Sequence, residues 1–423
     1  MKTIIRIHRK GKSRQVVEVP AVKAGRMELP EWDSRVAMIQ ALIPLGLEAV
    51  QELLQQEVTA WAGERYSRRG GVAGHDRWGR QAGSVYLADQ KVAMRVPRVR
   101  DIVRGQEVPL ATYQSLREPR RAEESALRKI LKGLSCRDYE ACVEPVAETF
   151  GLKASSLSRR FKRASARKLA ELQERDLSGV DVVAFFLDGK TFGDDEMLMA
   201  LGVALGGEKV VLGFVQTATE NEAVCSTFLR GLMDRGLKIN QGILCVIDGS
   251  KGLRKAVEKV FGNKAAVQRC EWHKRENVVG YLSMNQRPTY RRKIQSAYHH
   301  STYAQAKAAL RKVRAELALI NASAAASLDE GLEETLTLHR LGLFRELGDS
   351  FKTTNCIENL NALVGQRTDK VDRWRNAEQK HRWLATALLD IEPRLRKVRG
   401  YRHLPRLRTV LQTLLKGCLD HVA

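Results

Sequence analysis

Residues 181–189 read DVVAFFLDG, a short apolar run that ends in an aspartate and a glycine. Two runs of similar length follow, MLMALGVAL at 197–205 and EKVVLGFVQ at 208–216, with a Gly-Gly pair between them. Short apolar runs bounded by glycine and polar residues are typical of buried strands. These runs therefore predict three consecutive strands of one sheet.

Helices and strands alternate after these strands. Apolar residues have helical spacing over 220–236, and a strand-like run, QGILCVIDGS, follows at 241–250. A helix at 253–262 and a strand at 265–270 complete the series. The order β-β-β-α-β-α-β is the one expected of an RNase H-like mixed sheet, so we predict the α/β class.

Helical patterns also follow the predicted sheet. Residues 275–345 repeat apolar side chains at helical spacing, which predicts an all-helical insertion. TTNCIENLNALVG at 353–365 predicts a helix that begins with a Thr or Asn cap. A final long helix is predicted over 376–398, before a basic tail.

The N-terminal part combines a helix with a hairpin. A helix is predicted over 36–66, and GSVYLADQKVAMRVPRV at 83–99 predicts two strands around a short polar turn. Several arginines lie at the end of the second strand. This hairpin is interpreted either as a solvated edge or as a basic ribbon on a phosphate backbone, and the sequence does not choose between the two.

Residues 121–176 look helical throughout and contain a helix-turn-helix pattern. Tyr139, Val143, Val146 and Phe150 share one helical face, Gly151 ends that helix, and LKASSLSRRFKRASARKL begins the next one. The predicted DNA contacts are the polar residues of this second helix that we place off its apolar stripe: Ser155, Ser158, Arg159, Arg160, Lys162 and Arg163. An ordinary helical hairpin with a basic face is the alternative.

The charge of the chain predicts a polyanionic partner. Its 423 residues include 72 Lys and Arg against 49 Asp and Glu, a net charge of +23. Such an excess attracts nucleic acid or an anionic membrane surface. Residues 181–260, however, carry 9 basic and 11 acidic side chains. An acidic island in a basic chain is typical of a nuclease, which must hold cations among phosphates.

Several classes of protein are not expected. No window approaches the 18 uninterrupted apolar residues of a spanning helix, and the first residues contain no apolar core of signal-peptide length. The seven cysteines are scattered, which favours reduced thiols over a disulfide framework. We therefore expect a cytoplasmic protein associated with the nucleoid and not with a membrane.

Two aspartates are the first candidates for chemistry. Asp188 and Asp248 each end a predicted strand and precede a glycine. The carboxyl ends of strands form the ligand-binding edge of an open α/β sheet. Two carboxylates at one edge repel each other unless a cation or a proton neutralises them, and carboxylate oxygens suit Mg²⁺ or Mn²⁺. For one such aspartate, a simple turn residue remains the alternative.

A third carboxylate would complete a site for two metal ions. The candidates after residue 262 are Glu271, Glu276, Glu330, Glu333, Glu334, Glu346 and Glu358. Asparagines flank Glu358 on a predicted capped helix, and Glu346 is the second choice. The residues alone do not decide between them.

The chain resembles the Mutator-type transposases of bacterial insertion sequences. The resemblance rests on an ordered set of stretches between about residues 77 and 365: RWGRQAGSVYLADQKVAMRVPRVRD, LDGK, LGFVQTATENEAVCSTFLRGLMDRGL, VIDGSKGLRKAV, QRCEWHKREN and TTNCIENLN. It implies an RNase H-like fold with a helical insertion before the last acid. It also implies a catalytic Asp-Asp-Glu triad at Asp188, Asp248 and Glu358, which would hold Mg²⁺, with Mn²⁺ as a substitute.

The family signature of a cysteine and a histidine separated by two residues matches Cys270 and His273. Many relatives have an Arg-Asn pair shortly after it, whereas Arg275 and Asn277 are separated here by a glutamate. We include Arg275 among the predicted DNA contacts. A structural zinc needs four ligands, and no spacing supports His299 or His300 as the missing two, so we do not predict zinc.

We therefore predict a DNA transposase that binds the terminal inverted repeats of an insertion sequence and cleaves and joins DNA. Its partners would be the repeats and the target DNA, and pairing two ends implies a homodimer or a higher oligomer. The alternatives are an RNase H-like nuclease that does not join DNA and an inactive, domesticated DNA-binding protein. The predicted segments are an N-terminal region (1–120), a helix-turn-helix domain (121–178), the first part of the catalytic domain (179–274), a helical insertion (275–350) and the catalytic C-terminal helices with the tail (351–423).

Overall fold

The architecture is taken from a computed structural model. It describes residues 32–66, 71–87, 90–118, 120–137, 149–150, 153–217 and 221–420. These residues form two compact units, the first from those in 1–122 and 139–153 and the second from those in 123–138 and 154–423. Within the described ranges, no helix has both the length and the apolar character needed to cross a bilayer.

The first unit contains the predicted helix and the predicted hairpin. Its elements are α1 (Trp32–Ala62), β1 (His75–Leu87), β2 (Gln90–Asp101), β3 (Gln106–Val108), α2 (Ala111–Arg117) and β4 (Thr149–Phe150). β1 and β2 are antiparallel, and β2 also pairs with β3 and with β4. Leu54 and Val58 of α1 are buried with Val85 and Val96 of the hairpin, so the helix and the hairpin share one core.

One part of the helix-turn-helix prediction is wrong. Thr149 and Phe150 form a strand that pairs with Val92 and Lys91 of β2, whereas Phe150 was predicted to lie in a helix. A β-branched and an aromatic residue fit a pleated, half-buried surface, and here β2 supplies the partner strand. The rest of the first predicted helix, residues 139–148, lies outside the described residues.

The second unit is built on a five-stranded sheet. Its strands are β5 (Val182–Phe192), β6 (Asp195–Ala204), β7 (Lys209–Thr217), β8 (Ile243–Ile247) and β9 (Ala265–Arg269), with α5 (Glu222–Asp234) and α6 (Lys251–Phe261) between them. The strand order is β7-β6-β5-β8-β9, antiparallel among the first three and parallel from β5 to β9. The predicted series of strands and helices and the α/β class are confirmed.

Helices cover both faces of this sheet. The helices not yet named are α3 (Arg120–Leu131), α4 (Ala154–Gln173), α7 (Glu271–Gly280), α8 (Arg287–Tyr298), α9 (Tyr303–Ile320), α10 (Ala322–Asp329), α11 (Leu332–Thr335), α12 (Thr337–Arg340), α13 (Phe344–Phe351), α14 (Asn355–Thr368), α15 (Ala377–Ile391) and α16 (Leu404–Asp420). Phe185 of β5 packs edge-on against Phe261 of α6, and Phe186 stacks on Phe351 of α13. Because consecutive strand residues point to opposite faces, a strand segment covered on both sides is apolar at every position, as residues 182–187 of β5 are.

The helical insertion has its own core. It leaves the sheet after β9, and its last turns return to contact the same strand. The Gln268 amide, buried in β9, donates to the Thr335 carbonyl at 2.8 Å and accepts from the Leu338 amide at 2.9 Å. The Thr337 hydroxyl donates to the Val267 carbonyl at 2.6 Å. The predicted all-helical character of this segment is confirmed.

The C-terminal prediction needs a correction. The helix predicted to reach residue 398 ends at Ile391, since Pro393 follows within a 3₁₀ turn and cannot continue the α-helical hydrogen bonds. The segment taken as a basic tail contains α16, whose Leu404, Leu407 and Leu411 are buried.

The predicted boundary between residues 178 and 179 does not coincide with a boundary between the two units. α4 belongs to the second unit together with the sheet. Phe161 of α4 lies 4.8 Å from Trp383 of α15, measured between ring centroids. α4 is therefore fixed to the helices that cover the sheet.

Candidate active site

The structure brings Asp188 and Asp248 to adjacent positions on neighbouring strands. β5 and β8 are parallel, and their last paired residues are Leu187 and Ile247. Asp188 directly follows Leu187, and Asp248 directly follows Ile247. Both aspartate side chains are half-buried. Because paired strands lie about 4.8 Å apart, the backbones of the two aspartates are close neighbours at this edge of the sheet.

The prediction that Asp188 ends its strand is wrong. β5 continues to Phe192, paired with β6, and only its parallel pairing with β8 stops at residue 187. The chain does turn sharply after Asp248, where Gly249 has a φ of +118°. A Cβ atom at Gly249 would lie 2.2 Å from the Arg269 Nε, so both the backbone angle and the space require glycine there.

Asp248 is held between the end of β8 and the start of α6. Its Oδ1 accepts a hydrogen bond of 2.9 Å from the backbone N–H of Ser250. Ser250 is the N-cap of α6 and accepts from the Leu253 amide. The partial positive charge at the N-terminus of α6 attracts a carboxylate, so the helix and the Ser250 amide both hold Asp248 at the sheet edge.

Asp188 is joined to α14 through Asn361. The Asn361 Nδ2 donates to the Asp188 Oδ2 at 2.9 Å, and the Lys190 Nζ donates to the Asn361 backbone carbonyl at 2.6 Å. Asn361 is only 8% exposed, and its side-chain oxygen has no hydrogen-bond partner within the described part of the chain. Burial lowers the pKa of Lys190. These contacts fix the register of α14 against the strand that carries Asp188.

Glu358 lies on the same helix, one turn before Asn361. Residues three apart on a helix are neighbours on its surface, so Glu358 faces the same side as the amide that binds Asp188. The Glu358 Oε1 accepts a hydrogen bond of 2.5 Å from the hydroxyl of Thr354. Thr354 is fully buried and is the N-cap of α14, but its side chain caps no backbone N–H. Its hydroxyl orients the carboxylate instead.

The Thr354 hydroxyl also meets the Cys270–His273 signature. Its oxygen lies 3.3 Å from the His273 Nδ1 and 3.5 Å from the Cys270 Sγ. A hydroxyl carries one proton, and its shortest contact is to Glu358. We therefore assign the Nδ1–H of His273 as the donor to the Thr354 oxygen.

The electrostatics tie this signature to the acids. The hydrogen bond with Cys270 raises the pKa of His273 to about 9, and the negative charges of Asp248 and Glu358 act in the same direction. Burial opposes ionisation of the Cys270 thiol, but its hydrogen bonds, with those to His273 the largest, outweigh burial and lower its pKa. A positive imidazolium close to Asp248 and Glu358 partly offsets their mutual repulsion.

The donors at this edge fit a hard divalent ion. All three acids supply oxygen, as Mg²⁺ prefers, and the unpartnered, buried oxygen of Asn361 adds a neutral donor beside Asp188. Among the described residues, no three His, Cys, Asp or Glu side chains lie close enough together to hold a metal ion. Asp188, Asp248 and Glu358 thus do not form a closed set of ligands in this structure.

The contacts of the other glutamates favour Glu358 over them. Glu346, the second choice, lies on α13 and pairs with Arg406 of α16 at 2.9 Å. Glu276 pairs with Arg291, and Glu330 lies beside Lys274 in the insertion. Burial raises the pKa of Glu271 well above its usual range. Glu358 shares α14 with Asn361, whose side chain binds Asp188.

The predicted DNA contacts on α4 are not all at the surface. Ser155, Ser158, Arg159, Lys162 and Arg163 are exposed. The expectation that Arg160 faces outward is wrong, because it is 4% exposed. It follows Leu157 by three residues and precedes Ala164 by four, so it lies on the face that packs inward. Arg163 pairs with the buried Glu123 at 2.7 Å.

Arg275 and His299 are both engaged in the insertion. The Arg275 Nε lies 2.9 Å from the Glu276 carboxylate, and its Nη1 donates to the Gln295 side chain at 3.1 Å. The His299 Nδ1 lies 2.7 Å from the Gln295 carbonyl. Neither contact leads to Cys270 or to the acids, so the structure gives both residues a local role.

Sequence reasoning missed the roles of Thr354, Asn361 and Lys190. Thr354, Glu358 and Asn361 are spaced by four and three residues, which places all three on one face of a helix. That spacing around a candidate acid was a usable signal, because it places three polar residues on one face of a predicted helix. Lys190, two residues after Asp188, carried no comparable signal.

A strand-edge pair of aspartates beside a helix-borne glutamate defines a candidate phosphoryl-transfer enzyme of the α/β class. The Mutator family of transposases matches residues 37–396, and the chain belongs to that family. It is 27% identical over 351 residues to the transposase of insertion sequence IS905 from Lactococcus lactis, covering 81% of this chain and 86% of the relative. It is 25% identical to the IS256 transposase of transposon Tn4001 from Staphylococcus aureus, over 70% and 76% of the two chains. The IS6120 transposase of Mycolicibacterium smegmatis is 29% identical over 56% of this chain and 74% of that relative.

Proposed function

We propose that this transposase binds the terminal inverted repeats of an insertion sequence, cleaves DNA at the element end and joins the freed end to target DNA. The observation that supports the proposal best is the adjacency of Asp188 and Asp248, with Asn361 joining Asp188 to the helix of Glu358. The strand order, antiparallel for three strands and then parallel, supports an RNase H-like sheet.

Asp188, Asp248 and Glu358 would hold Mg²⁺, or Mn²⁺ in its place. Such ions activate water and stabilise the entering and leaving oxygens of an in-line displacement. Asn361 orients the Asp188 carboxylate, and Thr354 orients that of Glu358. Both orienting residues are buried, so the two carboxylates keep fixed directions when solvent is displaced by DNA.

The reaction proceeds by two direct displacements at phosphorus. Water forms a bond to the phosphorus at the element end, and the bond to the 3′ oxygen breaks, which leaves a 3′-hydroxyl. That hydroxyl then attacks a target phosphodiester and displaces a target 3′ oxygen. No serine or tyrosine nucleophile is required, so the acids and the basic DNA-binding surface suffice.

The exposed residues of α4 supply part of that basic surface. We propose Ser155, Ser158, Arg159, Lys162 and Arg163 as contacts to the repeats, with α4 as the second helix of a helix-turn-helix. Arg160 is left out because it is buried. Arg275 is a secondary contact, since Glu276 already pairs with it. Two chains at least would assemble, one on each paired end.

The test separates cleavage from binding. Asp188→Asn, Asp248→Asn and Glu358→Gln should each reduce cleavage of a repeat-containing duplex below detection in Mg²⁺ and leave repeat binding within a few-fold of wild type. Glu346→Gln is the matched control and should cleave normally. If Glu358→Gln still cleaves and Glu346→Gln does not, the third acid is wrongly assigned.

A second assay addresses joining. Wild-type protein given pre-cleaved ends and a target plasmid should yield strand-transfer products. Cleavage without joining would identify a nuclease instead. Binding without either reaction, in Mg²⁺ and in Mn²⁺, would identify an inactive DNA-binding protein.

A further inference from the structure

A groove of about 320 Å³ lies between α4 and the segment that links α14 to α15. Phe161 and Trp383 line it, and their rings contact each other. Ser158 and Lys162 of α4 line one side, and Arg373 and Arg375 of the linking segment line the other. All of these residues belong to the second unit, so the groove is a feature of a single body.

The charge of the groove is strongly positive. Lys162, Arg373 and Arg375 are exposed, and none of them forms an ion pair with any residue that the structure describes. Arg382 adds a fourth cation and lies 3.2 Å from the carboxylate of Glu378, the one acid that lines the groove. Uncompensated cations on both walls of a groove attract a polyanion, and DNA is the polyanion of the proposed reaction.

The groove is also connected to the candidate active site through β5. Four residues after Asp188, the ring of Phe192 packs against Trp374, 4.6 Å between centroids. Trp374 lies between Arg373 and Arg375 in the sequence. The four strand residues from Asp188 to Phe192 span about 13 Å, the length of about four base pairs of duplex DNA, and the groove begins beyond the Phe192 ring. The basic walls therefore lie a short, fixed distance along β5 from the proposed point of cleavage.

We propose that this groove binds the phosphate backbone of the element end about four base pairs from the scissile phosphate. The inference rests on the proposed function and deepens it. It assigns Arg373 and Arg375 as DNA contacts. It also makes α4 a wall of the catalytic unit, so α4 contacts DNA close to the cleavage point and not at a distant part of the repeat.

The experiment compares two duplexes by fluorescence anisotropy in Ca²⁺, so that binding is measured without cleavage. One duplex carries the complete terminal repeat, and the other lacks the ten base pairs next to the scissile phosphate. Arg373→Ala/Arg375→Ala should weaken binding to the complete duplex about tenfold and make its salt slope less steep by about 1.8, the value for two lost phosphate contacts. Binding to the shortened duplex should not change.

The controls isolate position from charge. Arg311→Ala/Lys312→Ala removes two exposed cations from α9, outside the groove, and should leave both affinities unchanged. Arg373→Lys/Arg375→Lys should restore most of the affinity, and phosphate ethylation should interfere with wild-type binding near the fourth base pair. Circular dichroism melting of each variant shows whether it is folded as wild type is.

Two results would overturn the inference: an equal loss on both duplexes, or no loss on either one. If the wild-type protein does not prefer the repeat to unrelated DNA, the proposed function itself is wrong. That comparison uses the wild-type protein only. The two failures are therefore distinguishable.

Discussion

The hydroxyl of Thr354 is the point at which the Cys270–His273 signature and the candidate acid Glu358 meet. Its oxygen contacts all three side chains, at 3.5, 3.3 and 2.5 Å respectively. A buried hydroxyl with one proton imposes a direction on these hydrogen bonds, from His273 through Thr354 to Glu358. The signature thus acts through Thr354 to hold the carboxylate in one orientation.

Removing that hydroxyl gives a sharp prediction. Thr354→Val keeps the shape of the side chain and removes the hydrogen bond to a charged group, which contributes about 1.5–3 kcal/mol. Cleavage should fall at least tenfold at limiting Mg²⁺, and the Mg²⁺ concentration for half-maximal cleavage should rise. The measurement is a Mg²⁺ titration of cleavage.

Thr354→Ser is the matched control for this titration. It keeps the hydroxyl and should restore a near-normal Mg²⁺ requirement. If Thr354→Val and Thr354→Ser need the same Mg²⁺ concentration as wild type, the hydroxyl does not position Glu358.

Lys274 makes a second prediction at this scale. It is completely buried, and its ammonium donates to the carbonyls of Ser327 and Glu330. Burial lowers the pKa of Lys274 to about 8. Between pH 8 and the unfolded pKa near 10.5, the unfolded chain binds more protons than the folded chain, so this group makes the folded state more stable as pH rises.

The free energy of unfolding of wild type relative to Lys274→Met should therefore increase from pH 8 to pH 10, by about 1.4 kcal/mol per pH unit at most. Urea denaturation at a series of pH values measures it. A difference that stays constant with pH would show that Lys274 has a normal pKa.

At the scale of elements, α16 closes one side of the sheet. The Arg408 guanidinium is buried and donates to the carbonyls of Gly242 and Val182, at 2.7 and 2.9 Å, and to the Asp181 carboxylate. These contacts tie the helix to the starts of β5 and β8, the strands that lead to the two aspartates. Hydrogen bonds therefore anchor α16 at the ends of β5 and β8 that lie opposite the two aspartates.

Arg408→Leu should lower the free energy of unfolding by about 2–4 kcal/mol, because it leaves buried carbonyls without donors. Arg406 lies two residues before Arg408, on another face of α16. Arg406→Leu removes only a solvent-exposed pair with Glu346 and should lower the free energy of unfolding by less than about 1 kcal/mol. Urea denaturation of both variants measures the contrast. Equal costs would mean that Arg408 contributes no more than a surface pair.

The elements of the sheet were predictable because each strand is a short apolar run bounded by glycine or polar residues. Helical spacing and an expected Thr or Asn cap likewise located α14, although the side chain of its N-cap residue, Thr354, caps no backbone N–H. Such reasoning failed at α16, since the many arginines of that segment suggested a tail, although Leu404, Leu407 and Leu411 have helical spacing. Arginine was also misleading in α4, where Arg160 is buried.

The candidate site was predictable only in part for a related physical reason. The sequence pattern locates two aspartates that each follow a buried apolar run, at 182–187 and 243–247. Asn361, the partner of Asp188, comes from a helix more than 160 residues further along the chain, and the pairing depends on how that helix packs. No local pattern encodes that packing.

At the scale of the whole molecule, a chain with a net charge of +23 contains the three candidate acids Asp188, Asp248 and Glu358. Without divalent ions, the carboxylates of Asp188, Asp248 and Glu358 repel DNA phosphates. In EDTA, Asp188→Asn should therefore bind the element end a few-fold more tightly than wild type, and Ca²⁺ should remove most of that difference. Anisotropy titrations with and without Ca²⁺ measure both effects.

Asp349→Asn is the control for this experiment. It removes one exposed negative charge from α13 and should not alter the effect of Ca²⁺ on binding. An Asp188→Asn protein with wild-type affinity in EDTA would show that the carboxylates do not face the bound DNA.

The way in which the helical insertion is attached has an evolutionary consequence. Its first helix begins just after β9, and its last turns return to hydrogen-bond with Gln268 of that strand. A segment whose entry and exit are neighbours can grow, shrink or be exchanged while the strands stay in place. Relatives should therefore differ most in length here, and a shortened loop that bridges the two attachment points should still permit folding of the sheet.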